Sequence, residues 1–246
     1  MVDSEFKMST IVVDKLLSAS SWFSVDSFSS KIEIKLKKEL VSSLCEEGDI
    51  VFDPFMNNGE TLFACNNSSR NGICISFDNE SVMNIRNKLD KLESQLQLSS
   101  FGAKQNSKQL ALYSKLTDLE YTWKQYDLPE IDLVVSFLPS LQDLDKLIKQ
   151  YGFANDGPVR SEFIKNLFLQ IKDKIKFGSY VVLLINNQYI NGEYVDFKQR
   201  LIDSLHELFI FKMEKIACIE NNASGFDPTN NLESHKSLLI FRKVDF

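Results

Sequence analysis

The chain has 246 residues, 43% of them hydrophobic and 25% charged, which is the balance of a globular protein with a sizeable core. Its net charge of −6 excludes the broadly basic surface of a protein that grips nucleic acid unaided. No apolar stretch approaches the roughly 20 residues of a membrane span. The opening MVDSEFKMST lacks the basic and apolar regions of a secretory signal, so an intracellular site, cytoplasmic or nuclear, is expected.

Residues 1–30 are Ser-rich, with Trp22 and Phe23 as the strong anchors; they read as an N-terminal extension to one domain over 31–246. Between Lys31 and Leu44, apolar residues at Ile34, Leu36, Leu40, Val41 and Leu44 follow a helical face. Glu46-Glu47-Gly48 ends that helix. Asp49–Phe52 is a short apolar run, the pattern of a buried strand, and Asp53-Pro54 stops it. A helix starts after Gly59. Gly72–Phe77 is a second strand. Glu80–Leu98 is an amphipathic helix, with Val82, Ile85, Leu89, Leu92 and Leu96 on one face.

Residues 99–107 form a polar loop. Leu110–Tyr113 fits a third strand or a helix. Ile131–Ser136 is a strand with Pro139 just beyond it, and Phe163–Ile175 is helical. Tyr180–Ile185 is the most apolar strand. Asp196–Leu208 is a helix and Ile210–Ile219 a strand. Ser237–Arg242 closes the chain as a strand that can pair antiparallel with its predecessor across the loop 221–235. Alternating strands and helices predict an α/β fold, a doubly wound and mainly parallel sheet with an antiparallel C-terminal strand.

The cysteines Cys45, Cys65, Cys74 and Cys218 form no CxxC pair, and only His206 and His235 could join them; no metal site is expected. Cys45, Cys65 and Cys74 lie in apolar surroundings and read as buried free thiols.

The run GDIVFDPFMNNGETLFA, residues 48–64, resembles the cofactor segment of the S-adenosylmethionine-dependent methyltransferases that act on exocyclic amino groups of nucleic-acid bases. That family's usual form is DPFxGSGTTLxAA. Asp53, Pro54, Phe55, Gly59, Thr61, Leu62 and Ala64 match it in register. Arg70–Ile73 resembles the family's approach to its second strand. Asp132–Ser136 with Pro139 resembles the strand leading into the catalytic (D/N/S)PP(Y/F/W) motif. Phe177–Leu183 and Glu233–Lys243 resemble its closing strands, so the likeness spans roughly residues 31–243.

The resemblance implies a Rossmann-like methyltransferase fold. It places cofactor-binding residues at Asp53, Phe55, Asn57, Gly59, Cys74 and Asp78, and a degenerate catalytic pair at Ser136 and Pro139. Several positions depart from the family. Asn57 stands where the first glycine belongs, and its side chain would enter space used by the methionine part of the cofactor. Cys74 is aligned with the acid expected at the end of the second strand, and a thiol is a poor acceptor for ribose hydroxyls. Asp78 either compensates or caps the next helix. Phe137-Leu138-Pro139-Ser140 lacks both the polar amine acceptor and the aromatic platform of the motif.

These departures imply a catalytically degenerate homologue, with S-adenosylmethionine binding weak or absent, acting as a binding or scaffolding subunit. Its expected partner is an active methyltransferase or a nucleic-acid-processing complex, which supplies the contact with nucleic acid. Trp22, Phe23 and Trp123 are candidates for a partner-facing surface. The alternative is a divergent but active DNA or RNA amino-methyltransferase.

Overall fold

The structure, a computed structural model, describes residues 22–25, 30–99, 107–152, 159–185, 189–190, 193–219 and 235–244. Its elements run β1 (Trp22–Val25), α1 (Ser30–Leu44), β2 (Ile50–Asp53), α2 (Glu60–Asn66), β3 (Asn71–Ser76), α3 (Asn79–Ser99) and β4 (Gln109–Tyr113). There follow α4 (Leu119–Gln125), β5 (Ile131–Phe137), α5 (Leu141–Gln150), α6 (Val159–Ile171) and β6 (Ile175–Ile185). A two-stranded hairpin, β7 (Tyr189–Ile190) and β8 (Glu193–Tyr194), precedes α7 (Phe197–Leu205), β9 (Phe209–Ile219) and β10 (His235–Lys243).

Eight strands form one sheet in the order β1-β9-β10-β6-β5-β2-β3-β4. The pairs β4–β3, β3–β2, β2–β5 and β5–β6 are parallel. The last strand, β10, is antiparallel to both of its neighbours, β6 and β9. The expected strands at 50–52, 73–76, 132–136 and 180–185 thus lie in one sheet, and 110–113 is a strand. At the far edge β1 pairs in parallel with β9, so a piece of the segment expected as an extension joins the sheet.

Strand alternation splits the core in two. Phe52, Ile73, Ile75, Val134, Val181, Leu183 and Phe241 point to one face, where α4–α7 pack with Trp123, Leu144, Phe163, Phe168 and Leu201. Their neighbours Val51, Leu133, Val135, Val182 and Leu184 point to the other face, against Leu36, Leu40 and Val41 of α1 and Cys65 of α2. Beside them Met56, Leu62, Cys74 and Ala111 meet Val82, Ile85 and Leu89 of α3. Trp123 is therefore a core residue and not part of a partner-facing surface: it is 2% exposed, its ring meets Phe52 edge-on, and its indole N–H donates to the Pro129 carbonyl. The side chains of Trp22 and Phe23, and almost all of the two expected loops, lie outside the described residues.

From β2 the chain winds outward through β3 to β4, then returns to β5 on the other side of β2. The carboxyl ends of β2 and β5 therefore flank the switch point, the crevice where open α/β sheets bind their ligands.

Candidate active site at the switch point

Asp53 is the last residue of β2 and is fully buried. A buried carboxylate needs donors for its oxygens, and Asp53 has four. Its Oδ1 accepts from the Phe55 N–H at 3.0 Å and from the Ser136 hydroxyl at 2.6 Å. Its Oδ2 accepts from the Thr61 hydroxyl and from the Lys37 ammonium, the latter at 3.3 Å. Lys37 comes from the inner face of α1 and is itself fully buried. Its Nζ also lies 3.9 Å from Oε2 of Glu60, the first residue of α2, and 4.5 Å from the centroid of the Phe137 ring. Glu60 is 2% exposed. Lys37, Asp53, Glu60, Thr61, Ser136 and Phe137 thus form one buried polar cluster.

The turn from β2 into α2 keeps the backbone that its glycine pattern calls for. Asn57 has φ 43° and Gly59 φ 80°, both left-handed, a region that asparagine tolerates better than most residues. A Cβ on Gly59 would stand 3.0 Å from Ile85, so this position also needs the missing side chain. The Asn57 amide reaches across the crevice and donates to the Phe137 carbonyl at 3.0 Å. That bond ties the β2–α2 turn to the end of β5.

The remaining expected residues have other employments. Phe55 is 4% exposed and packs edge-on against Phe77, with ring centroids 5.8 Å apart. Asp78 caps α3: its carboxylate accepts from the backbone of Glu80 and from the backbone and hydroxyl of Ser81. The Ser81 bonds hold the Asp78 carboxyl below the usual range. Pro139 is half-buried after β5, and Ser140, at the expected aromatic position, caps α5 through Asp143. Cys74 lies mid-strand, wholly buried among Met56, Val82 and Ile85, and burial pushes its thiol up. The residue that closes β3 is Ser76, whose hydroxyl accepts the Asp78 N–H at 3.1 Å. Cys74 therefore does not present a side chain at the strand end.

Lys37, Glu60 and Ser76 were not singled out from the sequence. Lys37 had a signal: it stands three and four residues before Leu40 and Val41, on the apolar stripe of α1. Cys45 and Cys65 are also free thiols, and desolvation raises that of Cys45 to about 11. Among the described residues no cluster of His, Cys, Asp and Glu is placed to hold a metal ion, and no helix is long and apolar enough to cross a membrane. A cavity of about 410 Å³ opens at the opposite, amino edge of the strands beside Ile50, Ile73, Leu110 and Tyr126; none of the expected site residues line it.

The DNA methylase family model for N6 and N4 methyltransferases matches residues 18–87, the segment from β1 through the first half of α3. A structure described as an rRNA-methylase from Clostridium thermocellum superposes with a TM-score of 0.51 at 13% identity, covering 90% of this chain and 99% of that one. A SAM-dependent methyltransferase from Methanosarcina mazei does so with a TM-score of 0.51 at 12% identity, covering 83% and 97%. The chain has the SAM-dependent methyltransferase fold. Among curated proteins none matches the sequence. In this methyltransferase-like domain the buried cluster stands at the switch point, and the segment that carries Lys37, Asp53 and Glu60 is the one that the family model matches.

Proposed function

We propose that the chain is a catalytically degenerate homologue of the nucleic-acid amino-methyltransferases, retained as a binding or scaffolding subunit of a complex. The end of β5 carries this reading. Methyl transfer to an exocyclic amine needs a polar acceptor that orients the nitrogen lone pair. Here the Ser136 hydroxyl is fully buried and donated to Asp53, and the next side chain is the Phe137 ring seated on Lys37.

S-adenosylmethionine is the cofactor that the fold implies, and the residues present do not suit it. Asp53 has four protein donors, the Asn57 amide spans the crevice, and Ser76 at the end of β3 offers a hydroxyl where ribose hydroxyls call for a carboxylate. The net charge of −6 gives little attraction for nucleic acid, so contact with it is assigned to a partner, either an active methyltransferase or a nucleic-acid-processing complex.

The test is calorimetric titration of the full chain with S-adenosylmethionine, then tritiated methyl transfer to mixed DNA and RNA, by the chain alone and with its co-purified partner. No heat and no transfer by the chain alone are expected. Micromolar binding, together with transfer abolished by Ser136→Ala, would instead establish a divergent active enzyme. That second reading is favoured by one observation, the left-handed turn kept at Asn57 and Gly59.

A further inference from the structure

Two acids meet at the switch point, Asp53 at the end of β2 and Glu60 at the start of α2, and both are buried. Two carboxylates out of water require a cation close by. Here the chain supplies it. Lys37 reaches the pair from α1, through the core and not from a loop, with no exposed surface and with the Phe137 ring against its ammonium.

The position of Lys37 is unlike that of an accidental ion pair. It stands on the α1 face that otherwise carries the apolar Leu36, Leu40 and Val41. Its ammonium meets Asp53 at the carboxyl end of β2, where Ser136 of β5 also donates to that carboxylate. We propose that Lys37 is a resident counter-ion. It fills, from within the chain, a site at the switch point that would otherwise take a small organic cation, a primary ammonium or a sulfonium. This rests on the reading that the chain works without cofactor, and it accounts for the two buried acids with a cation that the chain itself supplies.

The experiment is chemical rescue. Lys37→Ala leaves the two acids and a cavity the length of the lost side chain. The probes are n-propylammonium chloride, n-propanol as its uncharged match, and S-adenosylmethionine. In the full-length variant, n-propylammonium is expected to raise the melting midpoint and n-propanol to leave it unmoved, while neither shifts the wild type. S-adenosylmethionine is expected to bind the variant at least tenfold more tightly than the wild type. If the variant does not stay folded, the same probes are compared during refolding from urea, with recovery of the native circular dichroism as the readout. Rescue by the ammonium alone supports the assignment. Equal rescue by n-propanol, or none by either, overturns the counter-ion and leaves the cofactor-free reading untouched. Micromolar binding of S-adenosylmethionine by the wild type overturns both.

Discussion

Aspartates tie β2 to β5 at both ends of this sheet, and the two ends differ in their solvent. At the amino edge Asp132 of β5 accepts the Ile50 N–H at 2.9 Å and pairs with Lys176. That lysine side chain is 44% exposed. At the carboxyl edge Asp53 accepts from Ser136 of β5 and pairs with Lys37, which is wholly buried. The chemical parts are the same, an aspartate, a lysine and a partner on the adjoining strand. At the amino edge water can replace the lysine. At the carboxyl edge water has no such access, so each member of the cluster depends on the others. The same reagent thus makes a replaceable contact on one side of the sheet and an obligatory one on the other.

That contrast is open to measurement. Lys37→Ala leaves Asp53 and Glu60 buried beside each other and is expected to cost about 3–5 kcal/mol, read from urea unfolding. A loss below 1 kcal/mol would show that water reaches the cluster and would erase the difference between the edges. Gly59→Ala forces a side chain onto a backbone at φ 80° and against Ile85, and about 1–3 kcal/mol is expected in the same assay. Lys176→Ala, the amino-edge counterpart of the first variant, is expected to cost at most about 1 kcal/mol and to cost less as salt is raised.

The smallest effect concerns Asp78. Its folded-state carboxyl is held below the ordinary value, so its stabilising contribution is full above the unfolded-state value and disappears as pH falls through the folded one. Asp78→Ala is expected to lower the urea midpoint slightly at about pH 7 and to converge on the wild type as pH falls through the folded-state value. A difference that persists in acid would mean that the cap does not act through its charge.

The parallel strands were legible because strands buried on both faces are written as unbroken apolar runs, as in DIVF and YVVLLI. The helices α4 and α5 escaped notice. The first spans only Leu119–Gln125, and the second sets Leu141, Leu144 and Ile148 among six polar or charged residues. The aligned position, Cys74, lies two residues before the end of β3 at Ser76, and a strand repeats its facing every two. The two residues therefore share a face, and the alternation of the sequence does not tell them apart. Lys37 was missed for a different reason. A lysine in a helix is expected in water, and what holds it inside comes from Asp53 and Glu60, which are distant in sequence and brought near only by the packing of α1 on α2.

The pairing of β1 with β9 has a consequence for the order of assembly. Residues 22–25 are made before any other described strand, yet their partner, residues 216–219, follows every other described strand but β10. Joining segments so far apart carries a large loop-closure entropy, so β1 docks late, onto a sheet whose inner strands have already paired. Until it docks, β9 presents an unpaired row of backbone donors and acceptors, the kind of row that recruits strands from other molecules. A form in which residues 22–25 are trimmed or not yet docked therefore leaves this edge of β9 open to self-association, whatever the state of the crevice at the switch point.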